Sequence, residues 1–215
     1  IIMPCYNEEK TIVQILSKIK DVDLLENTDK EILIINDCST DTSEALIKKF
    51  IDTYPELSIK YFKNDSNKGK GASIHIGIKN ATGDFVIIQD ADLELNPDEF
   101  NILLQPVLDG DANVVYGSRF LNQKKQGSTM SKWANGFLTW LSNTVFGTRI
   151  TDMETCYKLV PTKVFQSLIL VEQRFGFEPE ITAKLAKIKH LKWKEVPITY
   201  IPRTTVEGKK IGWKD

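Results

Sequence analysis

Asp90-Ala91-Asp92 sets two carboxylates one residue apart, and Glu94 adds a third with the same spacing. Side chains alternate along an extended backbone, so Asp90, Asp92 and Glu94 would point to one side. Three acids on one side repel each other unless a cation lies among them. A hard divalent ion such as Mg²⁺ or Mn²⁺ takes oxygen ligands and leaves room for phosphate. A solvated turn capping the next helix is the competing reading, since Asn96-Pro97-Asp98-Glu99 supplies cap, first-position proline and acidic first turn. That accounts for Asp98 and Glu99. Asp90 and Asp92 lie upstream, where an open α/β sheet has its ligand crevice, and a metal site is expected there.

The acids must be positioned by the elements before and after them. Phe85-Val86-Ile87-Ile88 is a run of four apolar residues, the pattern of a central parallel strand buried on both faces. Ile1-Ile2-Met3, stopped by Pro4, reads as the end of a first strand. Glu31 to Asp37 reads as a second, Ser58 to Phe62 as a third and Asn113 to Arg119 as a later one. Apolar residues at 12, 15, 16 and 19 give a helical face after the first strand. Ser39 to Glu44 supplies cap residues for a helix through about Asp52. Asn67 to Ala72 is a loop entering a helix to about Ala81, closed by Gly83, and Pro97 to about Leu108 is a further helix. This alternation over the first ~120 residues predicts an α/β fold with a mostly parallel sheet flanked by helices.

The remainder is less regular. Residues 123–129 form a polar, lysine-rich loop, and 130–146 are amphipathic, with Trp133, Phe137, Trp140 and Leu141 at helical spacing. That stripe reads as core packing rather than a lipid- or sugar-stacking face. Residues 152–160 read as a strand, a helix opens at Glu178 and runs to about Lys189, and Trp193 to Tyr200 alternate as a last strand before a basic tail.

A formal charge of −1 offers no basic field for nucleic acid, so any nucleotide must be held by a specific site. Cys5, Cys38 and Cys156 have no metal-ligand spacing and read as reduced thiols. His75 and His190 have no metal-spaced partners either. No apolar run approaches the ~18 residues of a membrane span. The chain begins at Ile1 without Met and stops at Asp215, as a piece cut from a longer protein would.

Acids recur at the ends of the predicted strands: Glu8 or Glu9, then Asp37, then Asp90 with Asp92. Asp37 suits a nucleobase N–H or a ribose hydroxyl, and equally the capping of the next helix. Lys68 and Lys70 flank Gly69 and Gly71 near a helix start, a plausible anion site. The GxxxxGK[ST] of a P-loop is absent, as is a GxGxxG after the first strand.

Met3-Pro-Cys-Tyr-Asn-Glu-Glu9, Asn36-Asp-Cys-Ser-Thr-Asp41, Asn67-Lys-Gly-Lys-Gly-Ala72, Gly83-Asp84 and Asp90-Ala-Asp-Leu93 together resemble the family 2 glycosyltransferases of GT-A fold. Gly117-Ser-Arg119, Asp152 within Asp-Met-Glu-Thr-Cys-Tyr-Lys158, Phe175-Gly-Phe-Glu178, and Arg203 with Glu207-Gly-Lys-Lys-Ile211 resemble the subgroup similar to dolichol-phosphate mannosyltransferases. The match spans the chain in order. It implies one GT-A catalytic domain over 1–215, with a donor half (1–120) and an acceptor half (121–215). It also implies inverting transfer of a sugar from a nucleotide diphosphate sugar of GDP-mannose or UDP-glucose type to a polyprenyl or dolichyl phosphate, at the cytoplasmic face of a membrane. By this similarity Pro4, Tyr6, Glu8 and Asp37 line the nucleoside pocket, and Lys70 joins the donor site. Asp90, Asp92 and Glu94 hold Mg²⁺ or Mn²⁺, while Arg119, Arg203 and Lys209 reach the anionic groups.

Two positions depart from the family pattern. The paired acids of the second strand read Asn36-Asp37, and the arginine before the aromatic helix has no counterpart at Gly127, where Lys124, Lys125 or Lys132 would substitute. A saccharide hydroxyl acceptor would need a carboxylate base, with Glu178 and Glu180 as candidates and Glu180 as the expected catalytic group. A phosphate acceptor is already anionic and needs only cations such as Arg119, Arg203, Lys209 and Lys210. A nucleotidyltransferase would carry a glycine-rich basic signature where Pro4-Cys-Tyr-Asn-Glu8 stands. A non-catalytic sugar-nucleotide-binding module is the remaining alternative.

Overall fold

The structure, a computed structural model, describes residues 1–121, 129–174 and 176–203, excluding the side chains of 129–134. Strand β1 (Ile2–Cys5) pairs in parallel with β2 (Glu31–Asn36), and β2 with β3 (Ser58–Lys63). A second group runs in the order β4 (Phe85–Val86), β6 (Lys158–Pro161), β5 (Val114–Ser118), β7 (Trp193–Pro197). Within it β5 and β7 are parallel, while β6 is antiparallel to both β4 and β5. A parallel bridge between Ile2 and Ile88 joins the two groups, with Ile2 N–H donating to Ile87 and Gln89 N–H to Ile2. The acidic segment thus leaves the middle of the sheet.

The run 86–89 is fully buried, as its composition requires, but regular β4 pairing covers only two residues. Beyond Gln89 the chain bends through 91–94 instead of staying extended. β1 also departs from expectation, because it continues through Pro4 to Cys5. Ile2 bonds towards the central segment, so the period of two turns Pro4's missing N–H to that same side, where pairing has stopped at Gln89.

Side-chain alternation on β1 and β2 feeds two cores. Met3, Ile32 and Ile34 face α1 (Ile12–Asp21), α2 (Ser43–Thr53) and α4 (Phe100–Leu108). Ile2, Leu33 and Ile35 face α3 (Lys70–Asn80), α6 (Thr162–Ser167) and α7 (Phe177–Ala186). At Gly77 an added Cβ would lie 2.4 Å from Ile2, so α3 sits directly on β1. α3 ends at Ala81 in extended backbone, and Gly83 makes no left-handed cap. α5 spans Thr129–Phe146. The predicted strand over 152–160 begins only at Lys158; 152–157 form turns.

Glu31, at the edge of β2, ties the strands to the α3–β4 connection. Its carboxylate accepts from Lys60 at 2.5 Å and from the Thr82 N–H and hydroxyl at 2.9 and 2.7 Å. Burial alone would push Glu31 up, but Lys60 and Thr82 override it and hold the carboxyl at about 2. A depressed carboxyl stabilises the fold above its unfolded pKa and loses that contribution as the pH falls through the folded value. The Glu31→Gln variant should therefore show a shallower loss of melting temperature between pH ~4.5 and ~2 than the parent, followed by circular dichroism.

Candidate active site

The loops after β1 and β2 interlock at the sheet's C-terminal edge. Asn7 and Cys38 adopt left-handed backbone (φ 50° and 62°), which folds both loops over the strand ends. Asn7 Oδ1 accepts from Thr40 N–H at 2.7 Å, and the Ser39 and Ser43 hydroxyls accept from Asn7 and Glu8 N–H. Glu8 is fixed by Thr11, whose hydroxyl lies 3.0 Å from its carboxylate and 2.8 Å from the Ala91 carbonyl. Pro4 and Tyr6 lie on either side of Cys5, where β1 ends.

Asp37 is buried and accepts from Lys68 N–H (2.9 Å), Gly69 N–H (2.8 Å) and Asn64 Nδ2 (2.7 Å). It organises the glycine loop rather than capping α2; Asp41, one residue before the cap Thr42, accepts from Ser43 N–H at the start of that helix. Gly69 has φ +95°, and a Cβ on Gly71 would lie 2.5 Å from the Glu172 carbonyl. Both glycines let this loop press against residues 172–173.

The loop delivers Lys70 to the acidic segment. Its ammonium lies 2.8 and 2.9 Å from the two oxygens of Asp90 and 3.1 Å from Cys156 Sγ, and the Cys156 thiol donates to Asp90 at 2.8 Å. Burial would push Lys70 down, but Asp90, Cys156 and Glu178 hold it well above its usual value. Burial would push Asp90 up, and Lys70 with Cys156 holds it low. Asp92 is 7% exposed and is pushed up to about 7 by burial and the charge of Asp90, against the pull of Arg203.

Arg203 is the cation among the remaining acids. It lies 2.8 Å from Asp92, 3.0 Å from Glu8 and 3.9 Å from Glu94. Glu94 secures this segment by accepting from Arg203 N–H (2.8 Å) and the Tyr200 hydroxyl (3.0 Å). The expected three-carboxylate cage is therefore not assembled. The bend at 91–94 directs Glu94 to residues 200–203, and among the described residues no three His, Cys, Asp or Glu side chains gather as a metal site. The donor set of Asp90 and Asp92 still fits a hard divalent ion that takes its other ligands from phosphate and water. The residual repulsion that raises Asp92 is what such an ion would relieve.

Residues from the second half close the site. Arg119 N–H and Nε lie 3.1 and 2.7 Å from Asp152 Oδ2, and Nη2 lies 2.7 Å from Oδ1; its guanidinium also stacks 5.2 Å from the Tyr200 ring. Asp152 is fully buried and also accepts from Asn135 on α5. Of the two candidate bases, Glu178 is the one joined to this centre. It is buried, forms an ion pair with fully buried Lys158, and lies 3.8 Å from Lys70, with Oε1 accepting no hydrogen bond among the described residues. Glu180 instead holds the N–H groups of Val171 and Glu172 and the Lys184 ammonium, none of which touches the acids. The structure thus places Glu178, and not Glu180, beside Lys70. Lys209, Lys210 and the tail they belong to, together with Lys124, Lys125 and Gly127, fall outside the described residues, as does the side chain of Lys132.

Cys156 and Lys158 lie within the Asp152–Lys158 motif, but nothing in the linear pattern gives either a role at the site, where a lone thiol and a strand lysine look ordinary. The buried pair makes a direct prediction. Lys158→Met strands the Glu178 carboxylate and should cost about 3–5 kcal/mol in urea unfolding. Lys158→Met combined with Glu178→Gln should recover most of that loss.

The central sheet, with paired carboxylates and bracing cations at its C-terminal edge, has the GT-A fold. Residues 1–168 match Glycosyl transferase family 2. The chain belongs to that family, and it is a glycosyltransferase. A dolichyl-phosphate β-glucosyltransferase of Trichomonas vaginalis is 27% identical over 98% of this chain and 67% of its own length. The dolichol-phosphate mannosyltransferase of Pyrococcus furiosus is 26% identical over 62% of this chain and 35% of its own. Among solved structures, a mannosyltransferase of Pyrobaculum calidifontis bound to GDP-Man and Mn²⁺ superposes with a TM-score of 0.66 at 19% identity, over 91% of this chain and 53% of that one. Glucosyl-3-phosphoglycerate synthase of Mycobacterium tuberculosis, with Mn²⁺ and UDP, gives 0.71 at 17% identity, over 95% and 71%. The chain thus spans about two thirds, or less, of most of these proteins.

Proposed function

We propose that this chain transfers a hexose from a GDP- or UDP-sugar to a polyprenyl phosphate, with inversion at the anomeric carbon. The observation that carries this reading is Asp92, a buried carboxylate set between a second acid, Asp90, and the guanidinium of Arg203 at the end of the central strand. The relatives that act on dolichyl phosphate supply the acceptor class.

In this reading Pro4, Tyr6 and Glu8 line the nucleoside pocket, and Asp37 shapes it by fixing the glycine loop. Lys70 holds Asp90 in its charged form. Asp90 and Asp92 would hold Mg²⁺ or Mn²⁺, and the ion would supply charge neutralisation for the departing nucleoside diphosphate. Arg203, anchored by Glu94 and Tyr200, faces the same anionic group. Arg119, locked in orientation by Asp152, presents its remaining donors to the acceptor phosphate. Carboxylates around Asp92 are engaged with cations or backbone, as suits an acceptor that is already ionised and has no proton to lose.

Glu178 Oε1, buried and without a hydrogen-bond partner among the described residues, favours a second reading in which a saccharide hydroxyl gives its proton to Glu178. Product analysis with paired acceptors separates the two. Sugar recovered on the lipid phosphate, with the saccharide panel unmodified, supports the proposal; sugar recovered on a saccharide, lost in Glu178→Gln, replaces it. Dialysis against EDTA should abolish transfer, and adding Mn²⁺ or Mg²⁺ should restore it, read as nucleoside diphosphate release.

A further inference from the structure

α5 is inside out. Its inward stripe is polar: Asn135, Thr139 and Ser142 are buried, Asn135 Nδ2 donates to Asp152, and Thr139 Oγ1 accepts from Met153 N–H. Its outward face is apolar, with Phe137 59%, Trp140 60%, Leu141 42% and Val145 61% exposed. The expectation of core packing is therefore overturned for Phe137, Trp140 and Leu141, because Asp152 and its turn claim the polar side of the helix; the side chain of Trp133 lies outside the described residues. Phe137 and Trp140 rest against each other, ring centroids 6.1 Å apart, as an aromatic pair open to solvent.

Charge says what covers this face. No acid occurs from Ala112 to Thr151, whereas Arg119, Lys124, Lys125, Lys132 and Arg149 all fall there, in a chain of net charge −1. No charged residue interrupts Trp133 to Thr148, and exposed Arg149 lies just beyond. The charged residues nearest this apolar, tryptophan-bearing strip in the sequence, Lys132 before it and Arg149 after it, are both cations, which complements an anionic lipid surface. A second copy meeting the same face would bring like charges together. Among the described residues no helix is long and apolar enough to cross a membrane, so α5 would lie along the surface. The strip is continuous with the site through Asn135, Asp152 and Arg119.

We propose that Phe137, Trp140, Leu141 and Val145 form a membrane-surface contact, seated among the headgroups of an anionic bilayer. The inference deepens the polyprenyl-phosphate reading and rests on it, since the same contact would bring Arg119 to an acceptor phosphate at the bilayer surface.

The test is flotation of the purified chain with vesicles of phosphatidylcholine alone and of phosphatidylcholine with 30 mol% phosphatidylglycerol, without donor or acceptor. The chain is expected to float with the anionic vesicles. Phe137→Ser/Trp140→Ser should reduce the bound fraction at least tenfold, with an unchanged melting temperature. Transfer to a short, water-soluble polyprenyl phosphate should be unaffected in that variant. Three results would overturn the proposal: no binding to anionic vesicles, equal binding by the double variant, or a dimer in sedimentation that the double variant abolishes. Vesicle binding needs no catalysis, so its failure is distinct from a failure of transfer.

Discussion

Asp92→Asn should lower sugar transfer by about 10³-fold or more while making the unliganded protein more stable at neutral pH. The activity loss follows from removing a preorganised charge at the donor diphosphate, where single electrostatic contacts are worth about 10²–10³ and a charge-carrying one more. The stability gain follows from linkage. An unfolded aspartate titrates near 3.9, whereas the folded Asp92 carboxyl is pushed up to about 7 by burial and by Asp90. The folded state therefore binds the extra proton, and the parent loses stability as the pH rises from ~4 to ~7. Asparagine removes that slope. The two proteins should melt alike near pH 4, and the variant should melt higher at pH 7.5. A parent and variant with parallel pH profiles would show that Asp92 does not sit in the repulsive field described.

Arg203→Gln should be damaging in both respects. Its guanidinium is shared by Glu8 and Asp92, and its side chain is only 15% exposed. Removing it leaves these carboxylates without their cation, at a cost of about 3 kcal/mol or more, and frees the acids to repel the donor diphosphate. Transfer should fall by about 10²–10³-fold, with a raised KM for the nucleotide sugar. Arg203→Lys should recover less than a tenth of the lost activity, because a single ammonium cannot span Glu8 and Asp92 as the planar fork does. Full activity in Arg203→Lys would reduce its role to that of a general positive charge.

The residues that positioned the site were legible where the physics is local. The apolar run at 85–88, the helical face of α1 and the glycine loop at 67–72 each announce themselves through periodicity or backbone demand. The acids at 90 and 92 were legible because strand ends of an open α/β sheet are where ligands bind. What failed was non-local. The direction of Glu94 depends on residues 200–203, more than a hundred positions away. The choice between Glu178 and Glu180 depends on which one meets Lys158 and Lys70, and helix periodicity says nothing of that. The outward placing of Phe137, Trp140 and Leu141 on α5 is not legible, because amphipathicity reports that a helix has two faces, not which is inward. Here a single buried acid, Asp152, reverses the usual answer. Cys156 touches Asp90 only because 152–157 turn instead of running straight.

The most direct measurement is release of nucleoside diphosphate by the purified chain with Mn²⁺, across GDP- and UDP-sugars, with and without a short polyprenyl phosphate. The account predicts release that requires both the metal and the lipid phosphate, shows a preference for one donor, and is lost in Asp92→Asn. Donor binding without lipid-dependent release, or release unchanged in Asp92→Asn, would contradict it.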